Sequence, residues 1–258
     1  MQQLSGSTYA ANQTVWVRVV RPNHAIRARL IYVHGWIQPE TVAEELFFLT
    51  LMAKVLNVEV YHLQPPYHGR RTPNIARFSG ELLWSADLVR SLESLRQGAL
   101  DLQTLVSILQ SDGDQPIGIA GVSLGGFFSL LLSCLDERIA FSIPMIAHMD
   151  LAALTRDAPV LGRMRRELKA RGYRLSDLQN LLATLGWYDL SPAISPDRIY
   201  PHAGDDDRFF PASTVKKQFH SFGIPKIEWY RASHMTFIPQ IPLALRKTGP
   251  FLDRVIGR

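Results

Sequence analysis

The chain has 258 residues, 47% hydrophobic and 20% charged, enough for one large domain with a substantial core and too little for two full enzymes. Its single cysteine, Cys134, excludes an internal disulfide framework and any multi-cysteine zinc or iron–sulfur centre. The net charge of +5 is concentrated. Seven cations against Asp157 and Glu167 between Arg156 and Arg174 account for the whole surplus, so the basic stretch reads as a solvated helix face and not as a nucleic-acid footprint.

Residues 1–14 are polar, without the basic start and apolar stretch of a secretory signal. The longest strongly apolar run, Phe127 to Leu135, is far short of the roughly 20 residues that span a bilayer. A soluble, cytoplasmic protein is the expectation. From residue 14 onward, short β-rich runs alternate with long amphipathic stretches. Strands are predicted at 14–20, 27–33, 58–63, 116–121, 138–144, 198–202 and 226–231, and helices at 40–56, 82–110, 124–135, 212–221 and 241–255. This order predicts an α/β fold, a mostly parallel sheet with helices on both faces. Residues 149–196 break the rhythm with leucine-rich, helical character and no convincing strand. They read as a helical cap inserted into a core made of residues 1–148 and 197–258. The insertion is expected to lie over the C-terminal edge of the sheet, with Arg163, Arg165, Arg166, Lys169 and Arg171 facing solvent or an acidic partner.

The strongest chemical signal is Gly121-Val122-Ser123-Leu124-Gly125-Gly126, set between the apolar run Ile117–Ala120 and an apolar helix. A strand–turn–helix carrying G-x-S-x-G is the nucleophile elbow. The glycines let the chain turn tightly enough to project the Ser123 hydroxyl above the sheet. The helix beginning at Leu124 directs its free N–H groups at the same point. On these residues the chain resembles the α/β-hydrolase superfamily, in its serine-nucleophile branch, from about residue 14 to 256. Pro65-Pro66-Tyr67-His68-Gly69-Arg70-Arg71 is similar to a Pro-Tyr-x-Gly-x-Arg subgroup of that superfamily.

The resemblance implies a nucleophile, an acid and a histidine in chain order. His234, after the run 226–231 and before the last helix, stands where the family's base sits. The acid should follow the run 198–202, where Asp205, Asp206 and Asp207 are adjacent. The family pattern, completed here by Phe210 and Pro211, selects Asp207, with Asp150 as the alternative. His34-Gly35-Trp36 resembles the family's oxyanion turn, which implies the backbone N–H of Trp36 as one donor and that of Leu124 as the other. Arg70 and Arg71 are candidates for holding an acidic substrate group, beside the plainer role of a rigid turn with solvated arginines.

These features predict a serine hydrolase that cleaves a carboxylic ester or thioester through an acyl-enzyme. Its substrate would be a small-molecule or lipid-like ester, with no metal or nucleotide cofactor and no nucleic-acid partner. Two other readings remain open. One is a membrane-surface lipase or phospholipid deacylase that uses the basic, leucine-bearing insertion for peripheral membrane contact. The other is a binding protein that retains the fold without turnover.

Overall fold

The computed structural model describes residues 7–38, 45–224 and 226–257. Seven strands form one sheet: β1 (Val17–Val20), β2 (Ala28–Val33), β3 (Val58–Leu63), β4 (Ile117–Val122), β5 (Phe141–Met145), β6 (His202–Gly204) and β7 (Glu228–Tyr230), in the order β1-β3-β2-β4-β5-β6-β7. Only β1 runs antiparallel, against β3; every other pairing is parallel. The α-helices are α1 (Thr50–Leu56), α2 (Leu88–Ser111), α3 (Leu124–Leu135), α4 (Leu151–Asp157), α5 (Gly162–Ala170), α6 (Leu175–Thr184), α7 (Ala212–Ser221) and α8 (Ile241–Ile256).

Because side chains alternate across a strand, each inner strand feeds two cores. Leu30, Tyr32, Val58 and Val60 pack with Met52 and Leu56 of α1 and with Leu245 and Leu252 of α8. Ile31, Val33, Tyr61 and Leu63 point the other way, onto Leu95 and Leu102 of α2 and Phe127 and Leu131 of α3. The inner strands β2, β3, β4 and β5 are buried along their full length, as expected for parallel strands covered on both faces.

Two boundaries depart from the sequence reading for local reasons. The run 198–202 forms a strand only from His202, because Pro196 opens a 3-10 turn and Pro201 has no N–H for the ladder. The helix expected from residue 82 starts at Leu88, where the Asp87 side chain accepts from the Arg90 N–H at 3.1 Å and supplies the N-cap. Of the helix expected over 40–56, residues 40–44 lie outside the described residues. A π-turn (Glu45–Leu49) leads into α1, which Asn57 ends in the left-handed region at φ 54°.

Residues 149–196 contain α4, α5 and α6 and no named strand among the described residues. Leu151, Leu161, Met164, Leu168, Leu178 and Leu182 join the core on the α2 and α3 side of the sheet. Of these basic residues Arg163 and Arg171 are exposed, as expected, and Arg165, which is half-buried, is the one that departs from the expectation. Arg165 donates to the carbonyls of Thr155 (3.0 Å) and Ala158 (2.8 Å) at the end of α4, and Arg171 donates to Ala86 O (2.9 Å). Arg163 pairs with Glu167 (2.6 Å) and with Glu81 (3.2 Å) of the loop before α2. Arg166 and Lys169 are exposed.

Candidate active site

Ser123 lies between the C-terminal end of β4 and α3 with φ 57° and ψ −111°, a positive φ that a non-glycine residue adopts only when its surroundings hold it there. Those surroundings are visible. Ser123 N–H donates to Met145 O and Phe127 N–H to Ser123 O, both at 2.9 Å. A Cβ at Gly121 would lie 2.2 Å from the Gly125 carbonyl carbon, and one at Gly125 would lie 1.8 Å from Val33 O. The turn therefore closes only with glycine at both positions. It presents the Ser123 side chain at the head of α3, where the first N–H groups, that of Leu124 included, have no intrahelical acceptor.

The three adjacent aspartates separate by position. Asp205 and Asp206 are exposed, and Asp205 Oδ1 accepts from the Ala232 N–H at 3.1 Å. Asp207 is 4% exposed. Its Oδ1 accepts from the N–H groups of Phe209 (2.7 Å) and Phe210 (3.0 Å), and its Oδ2 lies 2.9 Å from His234 Nδ1. That pairing leaves Nε2 of His234 for another partner. The imidazole is clamped face to face against the Phe209 ring, with centroids 4.3 Å apart. Asp150 is engaged elsewhere: it caps α4 by accepting from the Ala153 N–H at 2.9 Å.

Ser123 and His234 line one cavity of about 320 Å³, together with Trp36 and Leu124. Of the inserted segment, α4 and the turn after it contribute Leu151, Leu154, Ala158, Val160 and Leu161 to the same wall. Gly35 rests against the elbow, since a Cβ there would lie 3.6 Å from Val122 O and 3.8 Å from Ser123 Cβ. The structure thus brings together Ser123, Asp207, His234, Leu124 and Trp36. Outside the cavity, a wider groove of about 660 Å³ shares Trp36, Trp84 and Leu161 with it and carries Arg77, Arg90, Arg163 and Arg171 beside Glu81, Asp87 and Glu167.

Arg70 and Arg71 line neither space, which corrects the substrate-binding expectation. Arg71 is 1% exposed and bonded to Asp101 (2.7 Å), Gln64 O (3.0 Å) and Asn12 O (3.0 Å). The Arg70 guanidinium lies over the Trp16 ring, 4.6 Å from its centroid. The turn they belong to braces the Trp36 loop instead. Tyr67 O accepts from the Gly80 N–H (2.8 Å), and Gly80 O accepts from the Trp36 indole N–H (2.7 Å). Tyr67 itself sits at φ 64°.

His34, His62 and His68 stack edge to face beneath this loop, with His34 5.3 Å from each of the other two. Burial drives His34 down to about 4 against the favourable Gly35 carbonyl, and drives His62 and His68 down to about 3. All three are neutral at physiological pH. His148, 1% exposed with its ring edge-on to Phe210 at 4.9 Å, is pushed down to about 4 by burial against the pull of Asp150, Asp157 and Asp207. Sequence reasoning passed over the aromatic clamp on His234 and the aromatic part of the cavity wall, because Phe209, Trp84 and Phe127 belong to no motif. Among the described residues no group of three or more His, Cys, Asp or Glu could hold a metal ion, and no helix is long and apolar enough to cross a membrane.

The seven-stranded sheet, with its elbow serine at the end of β4, defines an α/β-hydrolase fold. The family model described as alpha/beta hydrolase domain containing 18 matches residues 12–156, more than half of the sequence. The chain belongs to that family. The match includes Ser123 and stops before Asp207 and His234. Uncharacterized proteins from two strains of Mycobacterium tuberculosis are 25% identical over 244 residues, covering 92% of this chain and 56% of their own length. The chain thus spans about half the length of the curated relatives it matches.

Solved structures share the fold at low identity. A cold-adapted esterase from an Arctic intertidal metagenomic library, in a PEG-bound complex, is 15% identical with TM-score 0.60 over 94% of this chain and 88% of its own. Acetyl xylan esterase 1 from Thermoanaerobacterium sp. JW/SL YS485 is 16% identical with TM-score 0.62, over 90% of this chain and 78% of its own. TT1662 from Thermus thermophilus is 16% identical with TM-score 0.61, over 94% of both chains.

Proposed function

We propose that this protein is a serine hydrolase that cleaves a carboxylic ester or thioester through an acyl-enzyme, with Ser123 as nucleophile, His234 as base and Asp207 as its orienting acid. The observation that carries the reading is a serine at φ 57° sharing an apolar cavity with a histidine whose Nδ1 lies 2.9 Å from a buried aspartate. In this mechanism Ser123 Oγ attacks the acyl carbon as its proton passes to His234 Nε2, and Asp207 stabilises the imidazolium that forms. The backbone N–H groups of Trp36 and Leu124 bind the oxyanion of the tetrahedral intermediate. Collapse breaks the bond to the leaving alkoxide or thiolate, which takes the proton from His234. A water deprotonated by the same histidine then attacks the acyl-enzyme, releasing the carboxylic acid and restoring Ser123.

In this reading residues 149–196 act as a cap on a core formed by the rest of the chain, shielding the acyl-enzyme from bulk water. The lining by Leu151, Leu154 and Leu161 supports that role. That several solved structures of this fold are esterases supports the ester chemistry. The test is labelling by a fluorophosphonate probe, with mass spectrometry to locate the adduct. Stoichiometric modification of Ser123, lost in Ser123→Ala, is the expected result. Absence of labelling in the folded wild-type protein would refute the proposal.

A further inference from the structure

The proposed hydrolase chemistry leaves the substrate open, and the walls of the cavity narrow it. The lining passes from exposed side chains to fully buried ones. Ile37 is 40%, Val160 39% and Met235 65% exposed, whereas Leu95 of α2, Phe127 of α3 and Leu151 of α4 are each 3% exposed or less. The first three lie where the cavity meets the surface, and the last three, with Leu83, Ala158 and Leu161, belong to its buried wall.

The lining offers no polar group to a ligand beyond Ser123, His234 and the oxyanion donors. Both indole N–H groups in the lining are bonded elsewhere, Trp36 to Gly80 O at 2.7 Å and Trp84 to Thr155 Oγ1 at 3.1 Å. Thr155 in turn donates to Leu151 O at 2.7 Å. No Asp, Glu, Lys or Arg side chain belongs to the lining. An acyl group bearing hydroxyls or a carboxylate would lose its hydration there and gain no partner. At roughly 30 Å³ for a water-sized group, the 320 Å³ of the cavity holds about ten non-hydrogen atoms. An acetyl group fills a small part of that space.

The groove outside the cavity makes no matching demand on the leaving group. Arg90 pairs with Asp87 at 3.1 Å, Arg163 with Glu81 at 3.2 Å, and Arg77 with Glu81, while Arg171 is held by Ala86 O at 2.9 Å. The arginines are already engaged by carboxylates or a carbonyl.

We infer that the protein selects its substrate on the acyl side, and that it takes an unbranched or aromatic, uncharged acyl group of about six to ten carbons whose far end is stopped by Leu95, Phe127 and Leu151. This inference rests on Ser123 being the nucleophile. Each methylene buried in the chamber is worth up to roughly fourfold in kcat/KM, the equivalent of about 0.8 kcal/mol per CH₂.

The experiment is a series of p-nitrophenyl esters from acetate to laurate, run beside fluorophosphonate labelling. We expect kcat/KM for octanoate to exceed that for acetate by at least about fiftyfold, falling again at laurate. Leu95→Phe, which fills space at the buried wall, should lower the octanoate-to-acetate ratio at least about tenfold, and Leu95→Ala, which opens space there, should move the optimum to a longer chain. Circular dichroism verifies that both variants are folded, and the alanine variant decides the matter if the phenylalanine variant is not. Labelling of Ser123 with a flat profile or an acetate optimum overturns the chamber inference and leaves the hydrolase reading standing. Neither labelling nor turnover overturns both.

Discussion

Acidification is the perturbation to which this fold should respond most steeply, because five of its histidines are buried in the neutral state. His34, His62, His68, His148 and His202 are each 3% exposed or less, and burial holds His34 and His148 down to about 4 and the other three to about 3. In the unfolded chain each titrates near about 6.5. Between those values the unfolded state binds the extra proton, so stability is full above about pH 6.5 and falls as the pH drops towards the folded values. At about pH 5 each such histidine costs about 2 kcal/mol, and together they approach about 10 kcal/mol, the order of the whole stability of a domain. Two charges in the His34–His62–His68 stack would also repel. Urea unfolding followed by circular dichroism at about pH 7.5, 6 and 5 measures the slope. His148→Phe supplies an internal check, since neither ring nitrogen of His148 has a hydrogen-bond partner among the described residues. It should leave stability near neutral pH almost unchanged and recover about 2 kcal/mol at about pH 5. A loss below about 2 kcal/mol for the wild type between those limits would refute the assignment of these histidines as buried and neutral.

Further outcomes follow from the site and its braces. Ser123→Ala and His234→Ala should each abolish ester hydrolysis without unfolding the protein, since members of a triad act as a unit. Asp207→Asn should lower kcat by about 10,000-fold by favouring the wrong imidazole tautomer, whereas Asp205→Asn and Asp150→Asn should stay close to wild type in the same assay. Asp101→Ala should cost about 3–5 kcal/mol in urea unfolding, because it leaves the Arg71 guanidinium buried without its carboxylate. Trp36→Phe removes the indole bond to Gly80 O and should lower kcat through a loosened oxyanion turn, with a stability loss near 1 kcal/mol.

What the sequence discloses and what it hides divide along one line. A side chain whose job is fixed by its own backbone conformation leaves a local trace. The elbow is legible because Gly121 and Gly125 are forced by contacts within and beside a single strand–turn–helix, where added Cβ atoms would meet Gly125 and Val33 at about 2 Å. The order of strands and helices is legible for the same reason, since periodicity is a property of neighbours in sequence. Arg71 shows the other side. Its partners Asn12, Gln64 and Asp101 lie up to 59 residues away, so an arginine beside a glycine turn reads as a ligand clamp or a solvated turn residue, and its role as a core brace emerges only when the fold brings Asp101 to it. Arg165 reaches only as far as Thr155 and Ala158, but across the turn between α4 and α5, so its pull on the end of α4 is equally invisible in a run of basic residues.

The candidate acid lies between these cases. Three adjacent aspartates differ in sequence only by their spacing to Phe210 and Pro211, and burial together with two backbone N–H donors sets Asp207 apart physically. Those donors belong to Phe209 and Phe210, whose rings pack against the His234 imidazole at 4.3 and 5.4 Å. One short loop therefore orients the carboxylate through its backbone and the histidine through its side chains. Replacing Phe209 with leucine, which keeps the N–H and removes the ring, separates the two functions: Asp207 keeps its hydrogen bonds while His234 loses its flat wall. If the clamp matters for chemistry, kcat for an ester substrate should fall by about tenfold or more while KM stays nearly unchanged. Equal kcat in the two proteins would show that Asp207 alone is enough to hold the imidazole.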